Sequence, residues 1–195
     1  MKYREYVNQL LEKYGPAEDD YFIEESYNQF LKGEVNDIKK GKISRTKEGL
    51  YCHHIDEDKH ISLCAPEFIK LQNAPHEHHT KDKLVYCNLI EHAKLHIMIA
   101  IEDPKKGNWT EEDYMVGIGG YINFLRPLIY DWFVLENVPH GTPWMKNCYD
   151  AVVMSNEEGV ALLKELDGWL IENYPITQAE LLQATKESTV FFENR

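Results

Sequence analysis

No pair of cysteines in this chain has the CxxC spacing from which zinc ribbons and dithiol redox sites are built: Cys52, Cys64, Cys87 and Cys148 stand far apart. Reduced thiols in a cytoplasmic protein are therefore expected. A long apolar run is missing too. The most hydrophobic stretch, residues 115–135, is broken by Asn123, Arg126, Pro127 and Asp131, each costly in lipid, so it reads as a buried helix or helix pair and no membrane span is expected. The opening MKYREYVNQLLEKYG is charged throughout and lacks the apolar core of a secretion signal. Basic charge is scarce: 21 Lys and Arg against 33 Asp and Glu give a formal net charge of -12. That is the wrong sign for a protein that coats nucleic acid nonspecifically, so any such contact must be local, metal-assisted or delivered by a partner.

What is present is an ordinary globular composition, 43% hydrophobic and 12% aromatic over 195 residues, enough for one well-buried core. Tyr3, Val7, Leu10, Leu11 and Tyr14 recur at helical spacing until Gly15-Pro16 stops them. A second helix is expected from about Tyr21 to Leu31. Lys39 to Lys47 then holds five basic residues in nine and no acid, an inversion of the chain's charge that suits a solvated loop or a phosphate-contacting one. Residues 49–55 have the bulky, branched character of a strand, and Leu84-Val-Tyr-Cys of another. Residues 66–83 between them read as a helical turn and a loop. Asn88, followed three residues later by Glu91, predicts a capping box and a helix from Leu89 to about Ile101. Beyond it the pattern is helical: Glu111 to about Leu135, a turn from Pro139 to Pro143, a helix from Glu157 to Tyr174 and a last one from near Thr177. The residues from Asp150 onward carry nine acids and three bases, a solvated or partner-facing surface. The regions are an N-terminal helical lead, 1–36, a core with a basic lead-in, 37–104, and an acidic helical region, 105–195.

Four histidines stand out by position. His92 and His96 lie one turn apart on one helix face, where two imidazoles can bind the same cation. His53 or His54, at the end of the first strand, can supply a third nitrogen. His76, His78 and His79 could hold a second ion or touch substrate, and the turn Asp56-Glu57-Asp58 could add a carboxylate ligand, but both read more simply as solvated segments. The aromatic set Tyr121, Phe124, Tyr130, Trp132 and Phe133 reads as core.

The run YCHHIDE followed, after a loop, by KLVYCNLIEHAKLH resembles the HNH endonuclease family, especially members from phages and mobile elements. The resemblance covers about residues 50–97. It implies an α+β fold with a small ββα-metal core embedded in a mainly helical chain, and one divalent ion, Mg, Mn, Ni or Zn. It further implies His53, His92 and His96 as metal ligands and His54 as the general base, an assignment consistent with imidazole titrating near neutrality. One position departs from the pattern: the family's central Asn falls on Lys83, and Lys has no acceptor with which to replace an amide.

The expected function is a metal-dependent nuclease acting on DNA or RNA, with Lys39, Lys40, Lys42, Arg45, Lys47 and Lys83 available to the phosphate backbone. The alternative is a phage or mobile-element counter-defence protein, such as a CRISPR inhibitor. Its acidic helices would dock on a basic protein or ribonucleoprotein, and its core would cut that partner's RNA or bind without catalysis.

Overall fold

The structure, a computed structural model, describes residues 1–106, 108 and 115–193, with side chains up to Lys186. Two short runs of bulky residues, β1 (Tyr51–His54) and β2 (Leu84–Cys87), pair antiparallel with Tyr51 opposite Cys87 and His54 opposite Leu84. They form the one sheet among the described residues. Asn88 ends β2 and opens α4 (Leu89–Glu102). Its side chain accepts from the Glu91 backbone N–H at 2.9 Å, while the Glu91 carboxylate accepts from Asn88 N–H at 2.8 Å, the reciprocal box expected from the sequence. Such a cap contributes about 1 kcal/mol and sets where the helix begins.

The strand-to-strand connection holds the expected helical turn, and the expected loop after it is wound as well. Residues 55–58 form a 3₁₀ turn, α3 (Pro66–Gln72) follows with proline in its first turn, and His76–His79 and Lys81–Lys83 wind as further 3₁₀ turns into β2. Proline is suited to that first-turn position because the N–H it lacks would find no helical partner there. Before β1, α1 (Tyr3–Tyr14) and α2 (Glu24–Leu31) are present. The second starts later than expected because Phe22 bridges to Lys40 and Ile23 is still extended.

Past α4, one continuous rod spans residues 118–134. It contains α5 (Ile118–Gly120) and α6 (Arg126–Ile129), with wider π turns at Tyr121–Leu125 and Tyr130–Val134. Pro127 gives no N–H to the helical ladder, and these turns lie on either side of it. The expected start at Glu111 falls outside the described residues. α7 (Pro143–Asp150) begins on the last residue of the expected turn, in a stretch for which no helix was expected, again with proline in the first turn. α8 (Asn156–Asn173) is capped by Ser155 and Glu158, and α9 (Gln178–Glu193) follows Thr177.

α4 is apolar nearly all round because it is buried from two sides. Leu89, Ala93 and Ile97 join Tyr121, Ile129, Trp132, Leu166 and Leu170 in the largest cluster, while Leu95, Met98 and Ile99 meet Tyr3, Val7 and Leu10 of α1. A third cluster ties Phe22, Tyr27 and Ile43 to Leu84 and Tyr86 of the sheet. The chain is thus mainly helical around a two-stranded sheet, an α+β arrangement in which β1, β2 and α4 meet at the centre.

Candidate metal centre

His53 leaves β1 on the side that faces α4, and there it meets His92 and His96. One nitrogen from each of the three lies within 4.8 Å of the others. Neighbours set the tautomers of two of them. Tyr3 Oη donates to the Ile55 carbonyl at 2.8 Å, so at 3.1 Å it accepts from Nε2–H of His53 and leaves the lone pair on Nδ1. That Nδ1 is buried and has no hydrogen-bond partner. His96 Nδ1–H donates to the Gly117 carbonyl at 3.0 Å, which leaves its Nε2 as an acceptor, 3.2 Å from His92 Nε2. Gly120 makes this possible, because a Cβ there would lie 2.3 Å from the His96 ring.

The donor set fits a divalent ion. Two imidazole nitrogens on a tetrahedral zinc lie roughly 3.4 Å apart, given Zn–N bonds of about 2.0–2.1 Å, and the His92–His96 separation is close to that. Burial, with neighbouring imidazoles adding, holds His53 and His92 well below the ordinary histidine range, and His96 is lowered to about 4. All three are therefore neutral at pH 7, the form that ligates.

A carboxyl group beside two of these histidines comes from the turn that reads as solvated in the sequence. Glu57 is buried, with Oε2 3.4 Å from His96 Nε2 and 3.7 Å from His53 Nδ1. Burial pushes its carboxyl up to about 8. Its other oxygen lies 3.9 Å from His54 Nδ1. The sequence signal was available, an acidic residue four positions after His53, but nothing local showed that the turn folds back over the strand.

His54 points to the other face of β1, as alternation requires. Its ring lies 4.3 Å from that of Tyr21, and its Nε2 is 3.1 Å from Nδ1 of His79. His79 lies in a segment whose composition predicts a loop, yet it is fully buried between the Phe22 and Tyr27 rings, and burial lowers it to about 3. His54 is also held well below the usual range, by burial and then by His79 and Lys40.

The remaining cations divide. Lys83 lies 3.2 Å from Asp56, which also receives His78 at 2.9 Å, Lys59 at 3.0 Å and Arg4 at 3.3 Å. Against the opposing effect of burial, these partners hold the Asp56 carboxyl far below the usual carboxylate range. Arg45 is held by Glu48 and by the Tyr14 carbonyl. Lys40 lies on the wall of a cavity of 780 Å³ whose floor is His53, His54, Glu57, His92 and His96. Lys39, Lys42 and Lys47 are exposed outside that wall. Phe124, expected in the core, instead projects into the cavity mouth.

Comparison of the chain with protein families, with curated proteins and with solved structures finds no match.

Proposed function

We propose that this protein is a metal-dependent nuclease of the HNH type, hydrolysing phosphodiester bonds in DNA or RNA. The observation that carries the reading is the meeting of His53, His92 and His96 on a cavity floor, with an unpartnered Nδ1 among them and His54 alongside. His53, His92 and His96, with Glu57 beside them, would hold a divalent ion, which would supply Lewis-acid stabilisation of the phosphate and of the departing oxygen. His54 is the general base: with its Nε2 proton directed at His79, its Nδ1 lone pair faces Glu57 and the cavity and accepts a proton from the attacking water. Lys40 meets the phosphate at the wall. Lys83 serves by bracing Asp56, and so the turn that carries Glu57.

The test is cleavage of plasmid, single-stranded DNA and structured RNA by chelated protein supplied with Mg, Mn, Ni or Zn, with His54→Ala in parallel. Metal-dependent cleavage that the substitution removes is expected. A wild type inert on every naked substrate would overturn the reading. One observation then favours the counter-defence alternative: α8 presents Glu157, Glu158, Glu165 and Glu172 to solvent, a face suited to a basic partner.

A further inference from the structure

The nuclease reading leaves open what kind of strand reaches the site. The histidines lie deep, with His53 and His54 1% exposed and His96 8%, so a scissile phosphate must descend into the cavity. Its route is lined by rings. Trp144 of α7 is 43% exposed and meets Tyr51 edge-on at 6.3 Å, and Tyr51 lies 5.5 Å from His92. Phe124 is 57% exposed, four residues past the Gly120 that touches His96. Two large apolar rings left open on the same cavity point to a flat apolar ligand.

Charge narrows the ligand further. Duplex binders draw most of their affinity from neutralising many phosphates. Here Lys40 is the wall cation not held by a carboxylate among the described residues, since Arg45 is committed to Glu48. The chain as a whole carries -12. A duplex keeps its bases stacked on one another and offers these rings no open face, whereas an unpaired base has a π face that any aromatic side chain can take. A cavity of 780 Å³ is also in the size class that encloses a small ligand.

We propose that the cavity takes unpaired nucleotides of a single strand, with bases stacked on Trp144 and Phe124 and the linking phosphate led past Lys40 to the histidine floor. This inference rests on the nuclease reading for its direction, but it is tested by binding alone. Fluorescein-labelled oligothymidylate, oligouridylate and a blunt duplex of equal length are titrated with chelated protein and followed by anisotropy. Single strands are expected to bind at least about tenfold more tightly than the duplex. Trp144→Ala and Phe124→Ala should each weaken single-strand binding by about tenfold, the effect of one lost stacking partner, with unchanged circular dichroism. The salt dependence should be shallow, with a log–log slope of about -0.7 for one phosphate contact, and Lys40→Ala should flatten it. Equal or tighter duplex binding, single-strand affinity indifferent to both ring deletions, or no oligonucleotide binding at all would each overturn the proposal. Single-strand binding without metal-dependent cleavage would sink the nuclease reading and leave this one. Cleavage of duplex with single strands ignored would do the reverse.

Discussion

Two buried polar centres, one among the C-terminal helices and one between β1 and α4, are built on opposite terms. In the C-terminal helices, Arg126 places Nε and Nη2 on the two oxygens of Asp167 at 2.8 and 2.7 Å, Tyr121 donates to the same carboxylate at 2.9 Å, and Thr185 and the Leu181 carbonyl take Nη1. None of these atoms is left without a partner. Around the sheet, His53 Nδ1, His92 Nδ1, His79 Nε2, Tyr51 Oη and Asp58 Oδ1 are buried with none. Folded proteins satisfy nearly all buried polar groups, so a satisfied centre is architecture, whereas unsatisfied buried atoms, three of them imidazole nitrogens, call for a further explanation. The first centre clamps the 118–134 rod to α8 and α9, and the second is a set of buried nitrogens that could hold a metal ion.

The contrast is broken most forcefully by removing one member from each side. Asp167→Ala leaves a guanidinium buried without its counter-charge and should cost about 3–5 kcal/mol of stability. The zinc-induced rise in melting temperature of the folded fraction should persist. His92→Leu should do the opposite: the metal-free protein keeps its denaturation midpoint or gains, because a poorly satisfied imidazole is replaced by an apolar side chain, while the zinc-induced rise disappears. Calorimetry with and without zinc reads both, and equal destabilisation by the two substitutions would refute the distinction.

Within the site, ligation and proton transfer should separate in the same manner. His54→Ala is expected to lower the cleavage rate by about 10²–10⁴, the usual contribution of a positioned base, with zinc affinity unchanged by competition titration. A parallel loss of affinity would place His54 among the ligands instead.

Local signals carried much of this into the sequence. β2 and the Asn88 cap needed only neighbours within a few residues, and the i, i+4 spacing of His92 and His96 already put both rings on one face. What escaped was decided at long range. Glu57, Asp56, His78 and His79 lie in segments of polar composition that read as solvated, and they are buried because α1, α2 and α4 close over them. α7 is not evident locally because Pro143 closes a turn pattern, although proline is equally a first helical residue. Phe124 has the helical spacing of its core neighbours, yet it lies within the wide turn Tyr121–Leu125 and its ring lines the cavity.

Acid should expose the same contrast. His53, His54 and His92 lie well below the ordinary histidine pKa when folded, His96 at about 4 and His79 at about 3, whereas each returns to about 6.5 in the unfolded chain. Below that value the unfolded chain binds protons that the native state refuses, so this part of the stability is present above about pH 6.5 and is lost as pH falls. Glu57 runs the other way. Its folded value of about 8 makes its contribution complete at low pH and lost as pH rises through 8. Five groups outweigh one, so metal-free protein should be most stable near pH 6.5–7 and fall faster below pH 6 than above pH 7, by up to about 1.4 kcal/mol per pH unit for each proton. Urea midpoints across pH measure this, and a flat acid limb would mean that the histidines are less buried than the cluster requires.

The smallest change tests whether α1 belongs to the metal centre or only covers it. Tyr3 Oη is the contact that keeps the His53 proton on Nε2, and burial, with Asp58 and Glu57 adding, keeps that hydroxyl protonated at any working pH. In Tyr3→Phe the ring and its packing remain, but Nε2–H loses its acceptor, and the proton gains by moving to Nδ1, where it faces Glu57 and occupies the lone pair a cation needs. Partners that orient a ligating histidine typically contribute 10–100-fold in metal affinity. A loss near tenfold is expected here, with a stability cost of about 1 kcal/mol for the hydrogen bonds removed. Zinc affinity unchanged at that same stability cost would make Tyr3 a packing residue, and the tautomer assigned to His53 would have to be reversed. A tenfold loss would instead make the first helix part of the site, its hydroxyl reaching from Tyr3 to a ligand fifty positions along the chain.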